Sequence, residues 1–310
     1  MPTVLLTGGT GLVGRALSKA LVKKGYTVII LTRHLAGRFP QENISYASWD
    51  INKQEIDLQA IQQADYIIHL AGAPVMDKKW TAGYKKEILD SRTKSSLLIL
   101  DTLRQHSNSV KAFISASAIG WYGPDALPVK PGGFTEEDPA DSDFLGEVCR
   151  LWEDSVEPAV AMGIRLVRFR IGIVLSNDGG ALLEFKKPIS MGIGAVLGSG
   201  KQVVSWVHIE DICRILIYGI EHEELNGAYN AVAPSPVTNK TLTLKLAVAL
   251  RGRFFIPLHV PGFVLKLILG QKSIEVLKSA TVSCSKIKQA GFTFLFPSIE
   301  SAMGELLTPE

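Results

Sequence analysis

Cysteine is scarce in this 310-residue chain: there are three, Cys149, Cys213 and Cys284, far apart and with no C-x-x-C pair. That spacing argues against a disulfide framework and a zinc site, and it fits a reducing compartment. A strong charge of either sign is also missing. The formal net charge of +3 gives no reason to invoke nucleic acid or a membrane as partner. Long apolar runs are absent: Val260–Leu269, the longest near the C-terminal end, is interrupted by Pro261, Gly262 and Lys266 and is too short to span a bilayer. No basic leader precedes an apolar run at the start, so no signal peptide is expected and the expected location is cytoplasmic. Repeats and low-complexity segments are lacking. What remains is 46% hydrophobic, the composition of a globular protein, at a length suited to one large or two interlocked domains.

The most informative feature is at the start. Val4-Leu5-Leu6 reads as a short buried strand. It runs into Thr7-Gly8-Gly9-Thr10-Gly11-Leu12-Val13-Gly14 and then into a helical pattern, Arg15–Val22. Glycines at 8, 11 and 14 suit a tight turn, the approach of a pyrophosphate to the backbone, and close packing of helix on strand. The helix N-terminus presents free N–H groups and the positive end of its dipole to phosphate. The flanking strand and helix favour dinucleotide binding over an ordinary glycine-rich turn.

Strand-like and helix-like runs alternate through the first half. Strands are expected at Val4–Thr7, Thr27–Thr32, Ile44–Trp49, Tyr66–Leu70, Lys111–Ser115 and Arg165–Arg170. Helices are expected at Leu12–Lys24, Ile56–Gln63, Gly83–His106 and Cys149–Met162. Such alternation implies an α/β fold, a doubly wound parallel sheet with helices on both faces and ligands beyond the carboxyl ends of its strands. A long Pro-, Gly- and Asp-rich loop lies between Tyr122 and Phe144. A second glycine-rich stretch, Gly179–Gly200, separates the sixth strand from Val203–His208. From about Pro234 the chain turns helical, with Leu242–Leu250, Pro261–Leu269 and Lys272–Ser279, which read as a smaller lobe over the sheet edge.

The second strand ends Leu31-Thr32-Arg33-His34 with no acid in reach. An acid there would bond the ribose hydroxyls of NAD, whereas Arg33 offers a planar, permanently charged fork for the extra phosphate of NADP. NADP is therefore expected ahead of NAD; the plainer reading of Arg33 is a solvated surface arginine.

Several signatures now line up. Thr7–Gly14 resembles the TGGTGxxG loop of extended short-chain dehydrogenases/reductases, and His69-Leu70-Ala71-Gly72 resembles the strand-four motif beside the adenine. Ser115–Gly123 (SASAIGWYG) and Trp206–Asp211 (WVHIED) resemble two later family segments. Phe144–Glu153 (FLGEVCRLWE), Ala233–Asn239 (APSPVTN) and Ile88–Arg92 resemble an atypical extended group, called sugar-nucleotide epimerase-like or NAD-dependent epimerase/dehydratase-like, with its own helical C-terminal tail. The resemblance covers essentially the whole chain. It implies a Rossmann-type domain over 1–175, completed by about 203–233, and a partly interleaved substrate lobe over 176–202 and 234–310. A homodimer is compatible with it.

The departure matters as much as the match. Extended reductases place Tyr-x-x-x-Lys on the helix after the long loop; here that helix opens Phe144-Leu145-Gly146-Glu147-Val148-Cys149, with neither residue in place. Ser117 falls where the resemblance puts a catalytic hydroxyl; the alternative is a strand-end serine bonding backbone. Tyr122 is the nearest phenol and the first candidate for a substitute proton donor, against a packing role in the loop. The resemblance implies cofactor contacts from Gly8, Thr10, Gly11, Leu12, Val13, Gly14, Thr32, Arg33, Leu70, Ala71 and Gly72, and from Asp50 toward the adenine amino group. It also points to Arg92 near phosphate, beside Glu87, and to Val174 passing the nicotinamide. For Glu87 and Arg92 the plain reading is a solvated helix face. Cys149 takes the lysine register but reads better as a buried structural thiol; His208 precedes Asp211, a good N-cap. Arg168 and Arg170 share one strand face and await an anion or carboxylates. Two readings result. One is an NADP-dependent oxidoreductase, epimerase or dehydratase acting on a nucleotide sugar or other carbonyl substrate. The other is a regulatory or redox-sensing NADP-binding protein that has lost the chemistry. No metal site is expected.

Overall fold

The computed structural model describes residues 1–307. Its frame is one eight-stranded sheet. The strands are β1 (Thr3–Thr7), β2 (Thr27–Thr32), β3 (Ile44–Asp50), β4 (Glu55–Ile56), β5 (Tyr66–His69), β6 (Ala112–Ala118), β7 (Arg165–Ile171) and β8 (Gly227–Ala231). Their order across the sheet is β8-β7-β6-β5-β1-β2-β3-β4. All neighbours are parallel except β3 and β4. From β1 the chain winds outward through β2 and β3, then returns to β5 on the other side. The strand order therefore reverses between β1 and β5, where doubly wound sheets open a ligand crevice.

Alternation along the strands sorts side chains onto two faces. Val4 and Leu6 of β1 join Val28, Ile30, Ile68 and Ile114 in one core layer, while Leu5 joins Ile29, Ile67 and Phe113 in the other. The first layer is covered by α1 (Leu12–Lys23), through Leu17 and Leu21. The second is covered by α2 (Ala82–Gln105), through Ile99 and Leu103. Next in the chain come α3 (Phe144–Val156), which packs Val148 on Tyr84 and Ile88 of α2, and α4 (Ile209–Glu221), beside α1 on the first layer. A third, distinct hydrophobic cluster forms around Leu182, Trp206, Leu242, Leu246 and Met303. The chain end returns to the long loop: Asp125 accepts from the Ser279 hydroxyl at 2.7 Å and the Thr281 amide at 2.8 Å.

Several expectations shift. The helix expected at Ile56–Gln63 is shorter, Leu58–Gln62. Asp57 caps it through Gln59 and Ala60, while Glu55–Ile56 pairs with β3 instead. The helix expected at Cys149–Met162 starts at Phe144, capped by Asp143, and a separate short helix follows from Pro158. The stretch Gly179–Gly200 holds a helix, Ala181–Ser190, that buries Leu182 and Ile189, and a strand, Ile193–Leu197, parallel to Ile256–Val260. The N-cap of α4 is His208, not Asp211. The His208 ring accepts from the Glu210 amide, and Asp211 is fully buried, accepting from the amides of Leu295 and Phe296.

Candidate cofactor site

A cleft of about 780 Å³ opens at the carboxyl ends of β1, β2 and β5. Its floor is the glycine turn. Gly8 adopts φ +67°, and a Cβ there would fall 2.8 Å from the Leu70 carbonyl. A Cβ on Gly14 would fall 2.2 Å from the Gly8 carbonyl oxygen. Only glycine lets the turn, β5 and α1 approach this closely. Gly11 caps α1 without any side-chain bond, and the first turn of α1 carries no acid. The first amides of α1 are therefore left for an anion.

A buried polar bracket fixes the crevice wall. The Thr7 hydroxyl accepts from the amides of Leu70 and Ala71, so its own proton goes to His69 Nδ1 at 2.8 Å. The Ser95 and Ser96 hydroxyls give their protons to backbone carbonyls, which leaves them to accept from His69 Nε2. Burial pushes the imidazole down to about 3, so the ring is neutral, with Nε2 protonated. One histidine thus ties β1, β5 and α2 together.

The structure brings Gly8, Thr10, Gly11, Thr32, Arg33, Leu70, Ala71, Gly72 and Glu87 to the cleft. It also brings residues that sequence reasoning missed. Arg38 and His34 stand with Arg33 at the β2 end, and Trp49 and Asn52 flank Asp50. On α2, Gly83, Lys86, Asp90 and Lys94 share the lining with Glu87; their i, i+3, i+4 spacing was the available signal. Arg33 makes no ion pair among the described residues. Lys94 pairs with Asp90 at 2.9 Å, and Glu87 pairs with Lys78 at 3.3 Å across the exposed rim.

The other sequence candidates do not line this cleft. Asp50 turns its Oδ1 to the amides of Asn52 and Lys53, closing a turn between two lining residues. The Leu12 side chain meets Gly179 and Gly180, and Val13 packs on the core beneath α1. Val174 lies in a short strand, Ile173–Ser176, paired with Trp206–His208. Arg92 stands just behind the wall. Its Nη1 donates to the Ala73 and Ile88 carbonyls, and a Cβ on Gly72 would come 2.9 Å from its Cζ. Its guanidinium lies 5.0 Å from the Trp152 ring and has no carboxylate partner among the described residues. Burial lowers its pKa.

Ser117 and Tyr122 belong to a different, closed network. The Ser117 hydroxyl donates to Glu153 Oε1 at 2.8 Å, and Arg170 grips the same carboxylate through Nε at 2.8 Å and Nη2 at 3.1 Å. Arg170 Nη1 donates to the Tyr122 hydroxyl, which donates in turn to Asn230 Oδ1 at 2.7 Å. Arg170 and Glu153 are each 4% exposed. Tyr122 is fully buried, stacked on Phe134, and burial pushes its phenol up to about 12. Each hydroxyl proton is thus held by an internal acceptor. Arg168 pairs with Glu157, so the two arginines singled out on β7, Arg168 and Arg170, have both found carboxylates. Cys149 is buried against the Ala118 carbonyl, and burial pushes its thiol up to about 12, so it is no ready nucleophile.

Comparison with known proteins fits this geometry. Residues 4–144 match the NAD dependent epimerase/dehydratase family, and residues 260–306 match a domain of unknown function, DUF1731. An epimerase family protein of Staphylococcus aureus (strain MRSA252) is 34% identical over 309 residues, covering 99% of this chain and 100% of the relative. The chain belongs to the epimerase family. Among solved structures, human epimerase family protein SDR39U1 (isoform 2) with NADPH is similar at a TM-score of 0.85 and 28% identity, covering 98% of this chain and 99% of that one. A nucleoside-diphosphate sugar epimerase from Corynebacterium glutamicum has a TM-score of 0.77 and 30% identity, over 99% of this chain and 58% of that one. This epimerase-family chain has no described helix long and apolar enough to cross a membrane. No group of three or more His, Cys, Asp or Glu among its described residues is placed to hold a metal.

Proposed function

We propose that this protein binds NADP in the β1–β2–β5 cleft and acts on a nucleotide sugar or related carbonyl compound. The observation that carries the cofactor reading is the crevice itself. Gly8 and Gly14 leave a cradle that a Cβ would fill, under a helix N-terminus with neither side-chain cap nor acid. Thr10, Gly11 and the amides of Leu12 and Val13 would hold the pyrophosphate. Leu70, Ala71 and Gly72 would flank the adenosine, with Asp50 at its edge. Thr32 and Arg33 would take the ribose end, where Arg33 and Arg38 offer cations beside His34 and the end of β2 carries no acid. That preference for NADP is supported by the NADPH carried in the human relative. When bound, the nicotinamide supplies or accepts hydride. Helix α3 contains neither Tyr nor Lys, and Arg92, without a carboxylate partner among the described residues, is a buried cation beside Gly72, Trp152 and Cys149. We assign Arg92 to the ribose-phosphate side of the cofactor, and Val174 to the nicotinamide side. The nucleotide-sugar assignment rests on the name of the Corynebacterium relative.

A second reading, a binding protein without turnover, is favoured by one observation. The protons of Ser117 and Tyr122 are committed to Glu153 and Asn230. On this reading both residues hold the floor of the substrate side rather than exchange protons with a ligand. Calorimetry with NADPH and NADH tests the cofactor assignment: NADPH is expected to bind at least ~10-fold more tightly, about 1.4 kcal/mol. Equal affinities would remove Arg33 as a phosphate ligand.

A further inference from the structure

Beyond the cofactor reading, one surface stands out for what it leaves uncovered. Phe254, Ile256, Leu258, Phe263, Leu267 and Ile268 are all exposed, Phe254 at 85% and Leu267 at 84%. They belong to one continuous stretch: a turn after Arg251, the strand Ile256–Val260, and the helix Gly262–Leu269. The Ile256 amide donates to the Gly192 carbonyl, which sets exposed Met191 beside the start of this stretch. The helix fully buries only Leu265 against the protein. So dense an apolar surface marks a contact face rather than ordinary scatter.

Its charge pattern selects the partner. From Asn239 to Ile274 the chain carries Lys240, Lys245, Arg251, Arg253, Lys266 and Lys272 and no acid at all. Lys245 pairs with Glu300, and Lys272 is buried and donates to the Met76 carbonyl. Of the rest, Arg253 and Lys266 make no ion pair among the described residues, and the guanidinium of Arg251 bonds only the carbonyls of Phe254 and Ser190. Apolar residues flanked by unneutralised cations suit an interface that is apolar inside and anionic at its rim.

A second copy of this chain suits the face poorly. Ile256 and Val260 bond to the neighbouring strand Ile193–Leu197 and its flanks, so Pro257 and His259 face the free edge. Pro257 has no N–H to offer there, which blunts edge-to-edge pairing. A two-fold face-to-face contact would bring the same cations of both copies to one interface without acids between them.

We propose that the strand Ile256–Val260 and the helix Gly262–Leu269 form a face that lies on anionic lipid bilayers without crossing them. This revises one expectation from composition, that a membrane has no part in this protein's contacts: the small net charge hides a local, unbalanced basic segment.

The test is co-sedimentation of the full chain with phosphatidylcholine vesicles and with vesicles that also carry phosphatidylglycerol. Binding is expected only to the anionic vesicles and is expected to weaken as salt is raised. Phe263→Ser with Leu267→Ser should lower the bound fraction at least ~10-fold. Arg253→Glu with Lys266→Glu, two exposed charge reversals that leave the core untouched, should do the same and serves if the first variant misfolds. NADPH affinity should be unchanged in both. No binding to anionic vesicles by the parent protein would overturn the proposal. So would a concentration-dependent dimer in sedimentation velocity that the Phe263 and Leu267 changes dissolve.

Discussion

At the scale of single residues, the site depends on what two glycines lack. The space for a Cβ at Gly14 is already filled by the Gly8 carbonyl, 2.2 Å away. Gly14→Val must therefore push α1 off the turn and misalign the amides that would face phosphate. Cofactor affinity is expected to fall below detection in calorimetry, while far-UV circular dichroism still reports a folded α/β protein. Unchanged affinity would place the cofactor elsewhere. On the proposed NADP reading, Arg33 would act through charge rather than shape. Arg33→Ser should cost NADPH at least ~10-fold in affinity and leave NADH nearly unaffected, because only the former carries the extra phosphate.

Between elements, the decisive finding is the buried Glu153–Arg170 pair, which joins α3 to β7 and reaches β6 through Ser117 and β8 through Tyr122 and Asn230. It takes up the hydroxyls of Ser117 and Tyr122, the two residues expected from the sequence as proton-handling candidates. Arg170 lies with its Cζ 3.6 Å from the centre of the Trp121 ring, so the guanidinium has little room to relax. Glu153→Gln leaves a charged guanidinium buried beside a neutral amide. Breaking a buried pair in this way typically costs about 3–5 kcal/mol, and a large fall in the unfolding midpoint is expected in chemical denaturation. A midpoint within experimental error of the parent would show that the pair is not a structural clamp. This network was only partly legible in the sequence. Ser117, Tyr122 and Arg170 were each singled out, with carboxylate partners among the options for Arg170. Glu153 stands only as the last residue of the Phe144–Glu153 motif, with no role of its own, since nothing in a one-dimensional pattern reports that α3 lays it across β6 and β7.

For the whole molecule, His69 couples stability to pH. Its folded-state pKa is about 3, lowered mainly by burial, while an unfolded histidine titrates near 6.5. Below about 6.5 the unfolded chain takes up a proton that the folded one refuses, so the unfolded state binds more protons and stability falls as pH falls. The loss should grow by up to about 1.4 kcal/mol per pH unit between roughly 6.5 and 3. His69→Asn should flatten that part of the profile in urea titrations at stepped pH. An equally steep decline in the variant would assign the acid sensitivity to other groups.

The sequence by itself determined the doubly wound sheet, the glycine crevice at its switch point and the absence of Tyr and Lys from α3. These are written in local periods and spacings: alternation in β1, the 3.6-residue pattern of α1, the Gly8-Gly11-Gly14 triplet. Only the tertiary structure decided which candidates share a site. It placed Arg33, Arg38 and His34 together on the cleft, left Arg92 without a carboxylate, and closed Ser117 and Tyr122 into a buried salt-bridge network. It also showed that the strand and helix spanning Ile256–Leu269 remain uncovered. Pairing, burial and the loss of hydroxyl protons to particular acceptors arise between residues far apart in the chain. No local pattern encodes which distant partner each will meet.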